Sequence, residues 1–241
     1  GEALVRAILR LPVDLLWHGG IGTYVKAGDE SHAEVGDPAN DAVRIDAREL
    51  RATVIVEGGN RGLTQRARIE YALAGGRLNT DAIDNSGGVD CSDLEVNLKV
   101  ALQPLVTSGA LPLASRNALL AEVADQVCGT VLAHNRSQAR ALQIDQLRSR
   151  THLPLFRDLI SILEAEAGLE RQGADVPSRE ALRVRRGLYP GLTRPELAVL
   201  LAHTKLDLRR RLLQSPLCDD PALEPLLTEY FPFALRTAYP R

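Results

Sequence analysis

The chain has 241 residues, a formal net charge of -2, 45% hydrophobic residues and 25% charged residues. That length and apolar content support one or two domains with a sizeable core. The near-neutral balance excludes a global pull toward nucleic acid or anionic lipid. No apolar run approaches the roughly 18 residues that a membrane-spanning helix needs.

Residues 2–10 have the composition of a helix. Val13-Asp14-Leu15-Leu16-Trp17 is a short apolar run stopped by His18-Gly19-Gly20, which predicts a buried strand. Residues 28–49 are polar, without clear period, and are expected to form an irregular excursion. Thr53-Val54-Ile55-Val56 is a β-branched run ended by Gly58-Gly59-Asn60, a second strand. Thr64 then caps a predicted helix to about Ala74, stopped by Gly75-Gly76. A third strand is predicted over residues 78–83, ending in Asn85-Ser86-Gly87-Gly88. Strand, helix and strand in about 30 residues make a βαβ unit. Continuous apolar strands of this kind belong to a parallel sheet covered on both faces. The fold class read from these residues is therefore α/β, an open doubly wound sheet that binds its ligand beyond the carboxyl ends of the strands.

From Ser92 onward the pattern is helical. Leu94, Leu98, Ala101, Leu102 and Leu105 form one stripe, which Gly109 and Pro112 end. One or two helices follow over residues 114–149, a break falls at His152-Leu153-Pro154, and helix resumes over residues 155–171. Residues 173–192 look like a linker with a short helix. Thr193-Arg194-Pro195-Glu196 has the spacing of a capped helix start. Leu197, Leu200, Leu201, Thr204, Leu208 and Leu212 are then predicted to face a core. Two domains result, residues 1–150 and a helical region over residues 151–241.

Chemistry concentrates in three glycine-rich segments. Gly19-Gly20-Ile21-Gly22-Thr23-Tyr24 fails the GxGxxG test, because Val25 stands where a third glycine is required; a tight turn beside the ligand cleft fits it better. Glu57-Gly58-Gly59-Asn60-Arg61-Gly62-Leu63-Thr64 is a glycine turn leading to a cap. It also offers the Asn60 amide, which donates and accepts hydrogen bonds, to a carboxamide or ribose. In Asp84-Asn85-Ser86-Gly87-Gly88-Val89-Asp90-Cys91-Ser92-Asp93-Leu94-Glu95 the glycines let a ligand approach main chain. Ser92 and Glu95 have capping-box spacing, so Ser92 is expected at a helix start, where an anionic ligand group also fits. Asp81, Asp84, Asp90 and Asp93 miss the spacing of a calcium loop, and the five histidines show no metal-ligand spacing. Cys91, Cys128 and Cys218 form no CxxC pair, so neither a disulfide framework nor a zinc site is expected, and a reducing cytoplasm fits. The absence of methionine and the ending Tyr239-Pro240-Arg241 suggest a piece of a longer protein.

The second and third segments resemble glutamate dehydrogenases. That family's cofactor domain carries a Glu-Gly-Ala-Asn loop before a threonine-capped helix, then Asn-x-Gly-Gly-Val-x-x-Ser. Here these read Glu57-Gly58-Gly59-Asn60 with Thr64, and Asn85-Ser86-Gly87-Gly88-Val89-Asp90-Cys91-Ser92. The spelling is similar to the long-subunit, NAD-specific bacterial class. Leu15-Leu16-Trp17 leading to Gly19–Tyr24, Thr64-Gln65-Arg66-Ala67-Arg68-Ile69-Glu70-Tyr71-Ala72 and Leu192-Thr193-Arg194-Pro195-Glu196-Leu197-Ala198 carry this likeness. Arg61 stands where a hydrophobic residue is usual and Leu94 where histidine is usual.

The resemblance implies oxidative deamination of L-glutamate to 2-oxoglutarate and ammonia, with hydride passed to NAD. It implies that Gly59, Asn60 and Asn85 lie at the nicotinamide side of the cofactor, and that Gly88, Val89 and Ser92 line the substrate pocket, Ser92 facing the side-chain carboxylate. Residues 1–150 would be the second half of a Rossmann-like cofactor domain with its closing helices. The family's catalytic lysine and aspartate belong to an upstream domain; the chain's lysines, Lys26, Lys99 and Lys205, match none of its motifs. No catalytic residue is assigned, and the chain alone is expected to be inactive. A homo-oligomeric, cytoplasmic full-length protein is expected. Two other readings stay open: a leucine- or phenylalanine-type dehydrogenase, and a non-enzymatic helical interaction or regulatory module on an α/β scaffold.

Overall fold

The computed structural model describes residues 1–238; the ending Tyr239-Pro240-Arg241 lies outside the described residues. The chain is mostly helical, with a few short parallel strands. It divides into two compact units. The first comprises residues 1–85 and 138–208; the second comprises residues 86–137 and the segment from Arg209.

The first unit opens with α1 (Glu2–Leu9) and β1 (Leu15–His18). β2 (Val25–Lys26) precedes the predicted irregular stretch, which contains α2 (His32–Val35), β3 (Ile45–Asp46) and two 3₁₀ turns. Arg44 ties this stretch together from the inside. Its guanidinium is fully buried and donates to the carbonyls of Thr23 (2.8 Å) and Asp37 (2.6 Å), and it pairs with Asp41. Then come β4 (Val54–Glu57) and α3 (Gln65–Leu73). β1 and β4 pair in parallel, with Leu15 opposite Val54 and His18 opposite Glu57. Ile55, Leu63, Ala67 and Tyr71 form the centre of the core beneath them, and the Tyr71 hydroxyl donates to the Ala52 carbonyl at 2.5 Å.

Thr64 caps α3 as its sequence position predicts: its hydroxyl oxygen accepts from the Ala67 N–H at 3.0 Å and donates to Glu30 at 2.5 Å. Removing a cap of this kind costs about 1 kcal/mol. Thr64→Ala is therefore expected to lower the unfolding free energy of the first unit by that amount, read as a lower urea midpoint at unchanged slope, and Thr64→Ser to retain most of it.

The expected third strand is not formed. Arg77 makes a single parallel bridge to Val54, through the bonds Ile55 N–H to Arg77 carbonyl (2.9 Å) and Arg77 N–H to Thr53 carbonyl (3.2 Å). The chain then leaves the sheet, and Asp81 begins α4 (Asp81–Asp84). The physical reason lies in Asn79 and Asp84. Their side chains bond each other at 2.7 Å, and Asp84 also accepts from the Glu57 N–H at 3.0 Å, which folds the segment across the end of β4. The expectation of strands covered on both faces also fails for β1. Leu15 and Trp17 are 55% and 67% exposed, so one face of that strand is open among the described residues.

The helical part of the first unit comprises the end of α7 (Ala124–Thr151), α8 (Leu153–Glu166), α9 (Arg179–Val184) and the start of α10 (Arg194–Leu213). Leu142, Ile160, Leu163, Leu192, Leu197 and Leu200 pack together there. Thr193 and Glu196 make the capping box that the sequence predicts, with the Thr193 N–H bonded to Glu196 at 2.7 Å. The carboxylate of Glu196 is also held by both terminal nitrogens of Arg185 at 2.7 Å. The predicted stripe on α10 holds for Leu197 and Leu200 but not for Leu208 and Leu212, which are exposed.

The second unit is built on α5 (Ser86–Thr107), α6 (Leu113–Glu122) and the start of α7, with α11 (Glu224–Glu229) and α12 (Phe233–Ala238). Leu94, Leu98 and Leu102 are buried against Val123, Val127 and Val131, as the i, i+4, i+8 spacing predicts; Ala101 from the same stripe is exposed. Among the described residues, no helix is long and apolar enough to cross a membrane.

Candidate functional site

The carboxyl ends of β1 and β4 lie side by side because the strands are parallel and in register. Both continue into glycine-rich loops, and the loops interlock. The Gly59 N–H donates to the His18 carbonyl at 2.9 Å, and the Tyr24 N–H donates to the Gly62 carbonyl at 2.9 Å. A Cβ on Gly59 would stand 2.0 Å from the Gly20 carbonyl oxygen, so the two backbones are in direct contact. The indole of Trp17 covers Gly58, and the His18 ring covers Gly62. His18 is half-buried, its Nδ1 has no hydrogen-bond partner, and burial pulls its pKa below the ordinary histidine value.

Behind these loops sits a buried charge network. Glu57 is 1% exposed and binds Arg68 through two bonds, 2.7 Å from Nε and 2.8 Å from the terminal nitrogen. The Leu63 N–H also donates to Glu57, at 3.2 Å. Arg68 reaches Asp81 at 3.1 Å, and the second oxygen of Asp81 accepts from the Arg61 N–H at 2.8 Å. Burial pushes the Glu57 carboxyl up from its ordinary value, against the pull of Arg68. It also pushes Asp84 up, against the hydrogen bonds from Asn79 and the Glu57 N–H. A second arm runs from Asp84 through Asn79 to Arg194, whose Nε donates to the Asn79 side chain at 2.7 Å.

Of the residues singled out from sequence, Asn60 and Asn85 are brought together. The Asn85 amide nitrogen donates to the Asn60 amide oxygen at 2.6 Å. Asn60 follows the end of β4, and Asn85 is the C-cap of α4, which the Asp84–Glu57 bond holds against that strand. The pairing leaves the Asn60 amide nitrogen with both its protons, and the Asn85 amide oxygen, to address a ligand. Gly59 is buried beneath them.

Gly88, Val89 and Ser92 lie in the second unit, and the structure changes their local setting. Ser92 does not start a helix. α5 begins at Ser86, six positions earlier, and the Ser92 hydroxyl donates back to the Gly88 carbonyl at 3.2 Å, one turn away. Asn85-Ser86-Gly87-Gly88-Val89 is therefore helix entry rather than open loop. Helix continues through two poor formers because the Leu94–Leu98–Leu102 face and the bond between the Ser86 hydroxyl and Asn135 at 3.0 Å fix its first turns. Gly88, Val89 and Ser92 are all exposed. The lysines are engaged elsewhere: Lys26 pairs with Asp46, Lys99 with Glu95, and Lys205 donates to Gln138 at 2.7 Å. Cys91, Cys128 and Cys218 are exposed free thiols.

The sequence assigns no side-chain role to Arg68, Asp81 or Asp84, although all three hold the loops. Arg68 stands in the Thr64–Ala72 likeness, Asp84 heads the Asp84–Glu95 segment, and Asp81 and Asp84 otherwise register as carboxylates that miss a calcium pattern. Their separation of three residues, one helical turn, was the available signal that they lie on one short helix.

Within a mostly helical chain, two parallel strands carry interlocked glycine loops and paired carboxamides at their carboxyl ends, the place where α/β proteins bind ligands. Residues 1–145 match the family described as bacterial NAD-glutamate dehydrogenase, catalytic domain, and residues 189–241 match the glutamate dehydrogenase C-terminal family. The chain belongs to the bacterial NAD-glutamate dehydrogenase family. It is 49% identical over 232 residues to the NAD-specific glutamate dehydrogenase of Pseudomonas aeruginosa, covering 96% of this chain and 14% of that protein. It is 47% identical over 236 residues to the enzyme of the same name from Mycobacterium tuberculosis, covering 98% of this chain and 14% of that protein. The corresponding protein of Halomonas elongata is 48% identical over 236 residues, which is 98% of this chain and 15% of that protein. The chain thus spans about one seventh of the length of these relatives.

Proposed function

We propose that the protein carrying this chain oxidises L-glutamate to 2-oxoglutarate and ammonia, passing a hydride to NAD, and that this chain supplies the nicotinamide side of the cofactor site. The observation that carries the reading is the contact of Asn60 with Asn85 beside the end of β4, at 2.6 Å. That bond leaves one donor group and one acceptor group of the pair uncommitted, the complement of the acceptor and donor on a nicotinamide carboxamide or of a ribose hydroxyl. The family match over residues 1–145 supports the same assignment.

The chain is read as the second half of a doubly wound, Rossmann-like sheet, with residues 1–150 on the cofactor side and residues 151–241 as a helical region. The open face of β1 at Leu15 and Trp17 fits a strand whose missing cover belongs to the first half. The break between the family matches, after residue 145 and before residue 189, fits the boundary. We assign Gly88, Val89 and Ser92 to substrate. Ser92 would serve a substrate carboxylate by turning its hydroxyl proton away from the Gly88 carbonyl, a weak bond to give up at 3.2 Å. The lysine that polarises the carbonyl and the aspartate that moves the proton would come from elsewhere in the full-length protein. That protein is read as a cytoplasmic homo-oligomer.

The test is Asn60→Ala in the full-length enzyme. We expect the KM for NAD to rise about tenfold, the loss of roughly one to two hydrogen bonds, while thermal stability stays unchanged because Asn60 is exposed. An unchanged KM for NAD would remove Asn60 from the cofactor site. A protein that binds a partner through residues 193–213 but oxidises no glutamate would favour the interaction-module reading.

A further inference from the structure

A cavity of about 510 Å³ lies in the helical part of the first unit. It opens where the end of α7 meets α8, α9 and the 3₁₀ turn after it. Its polar lining is dominated by arginine: Arg150 from α7, Arg157 from α8, Arg179 and Arg183 from α9, and Arg186 from the turn. The single carboxylate among the lining residues is Glu180, and it is spent on Arg183, which it binds at 2.7 and 3.0 Å. Arg150, Arg157, Arg179 and Arg186 make no ion pair among the described residues.

The distinctive feature of this set is that its members gather round one cavity, in a chain whose acidic residues slightly outnumber its basic ones. By contrast, Arg10, Arg44, Arg68, Arg171 and Arg185 of the same unit each sit on a carboxylate. Arg179, Arg183 and Arg186 follow the spacing i, i+4, i+7, which puts them on one side of α9 and its extension. Like charges at that spacing work against a helix, so the arrangement gains most when an anion sits among them. Leu153, Pro154, Leu182 and Pro190 supply an apolar wall that lowers the local dielectric and strengthens such a contact. Planar guanidinium groups match tetrahedral phosphate oxygens with two bonds each.

We propose that this cavity binds a small anion bearing several phosphate groups. The cavity volume lies within the range of small-molecule sites, and four uncompensated guanidinium groups match three to four negative charges. The site shares no residue with the loops at 57–62 and 85–92, and it does not depend on the assignment of NAD to those loops.

The test uses the full-length protein, with inorganic tripolyphosphate and ATP as probes, titrated calorimetrically at low and at moderate salt. We expect both to bind, with affinity falling as salt rises. Affinity should fall at least tenfold in the double variant Arg179→Gln/Arg186→Gln, while the KM for NAD is unchanged. These side chains are exposed, so the variant is expected to fold; its thermal midpoint without ligand should match the parent's or exceed it, and the rise on adding tripolyphosphate should disappear. Tighter binding of ATP than of tripolyphosphate would assign the apolar wall to a base, and equal binding would assign the site to the phosphates alone. The proposal is overturned if the parent binds neither probe, or if the double variant binds both as tightly as the parent; the latter would place the anions at another site, the cofactor loops included.

Discussion

Gly59→Ala is expected to reduce glutamate oxidation by the full-length enzyme at least a hundredfold and to destabilise the first unit by about 2–3 kcal/mol, while Gly20→Ala does neither. An alanine methyl at position 59 would lie 2.0 Å from the Gly20 carbonyl oxygen and 2.7 Å from its carbonyl carbon. Both are backbone atoms, so no rotamer change relieves the clash. The loop after β1 has to move, and overpacking of that kind costs about 1–3 kcal/mol. Movement also breaks the bond from the Gly59 N–H to His18, which fixes where Asn60 stands. A misplacement of about 1 Å at a positioned group is enough for a hundredfold loss. A Cβ on Gly20 meets nothing within 4 Å, which makes Gly20→Ala the control for any general effect of losing a glycine there. The prediction runs against the resemblance: the related loop is spelled Glu-Gly-Ala-Asn, with alanine at this place. In this chain the Gly19-Gly20-Ile21-Gly22 loop occupies the space that such a methyl would fill. Near-parental activity for Gly59→Ala would show that the two loops are not held in the contact described.

Much of this architecture was legible because its signals are local. The β-branched run ending at Glu57, the cap at Thr64 and the Thr193–Glu196 box are each fixed by residues within one turn of each other, and all three form. The paired asparagines were legible through their motifs, although nothing in the spacing showed that they touch. What failed was decided by partners distant in sequence. Residues 78–83 have the apolar content of a strand, but Asp84 is drawn to the Glu57 N–H, 27 residues away, and the chain turns into a helix. Ser92 and Glu95 carry capping-box spacing by coincidence. The helix had already started at Ser86, through two glycines whose low propensity is overridden by packing. The arginine cavity was invisible for the same reason, since its lining comes from four elements spread over residues 150–191.

The Glu57–Arg68 pair is where these distant partners converge, and Arg68→Ala is expected to be the most destabilising single change in the first unit. It leaves a buried carboxylate without its cation, a situation that costs about 3–5 kcal/mol. The pH dependence of the variant separates this cause from simple loss of packing. Burial already pushes the Glu57 carboxyl up, and Arg68 is the main group opposing that rise. Without Arg68 the folded-state pKa of Glu57 goes higher still, above its unfolded value. A carboxyl raised in this way binds its proton more tightly when folded. Its favourable contribution is therefore full below the unfolded pKa and is lost as pH rises through the folded one. The deficit of Arg68→Ala relative to the parent should be largest at neutral pH and should shrink as pH falls toward 5. Adding Glu57→Gln to Arg68→Ala removes the stranded charge, so the double variant should be more stable than Arg68→Ala alone at neutral pH and should lose most of its pH dependence. Urea unfolding of the 241-residue chain and its variants at two pH values measures all three quantities. A deficit that stays constant between those pH values, in both the single and the double variant, would mean that Arg68 acts through packing and that the charge of Glu57 is met by other groups.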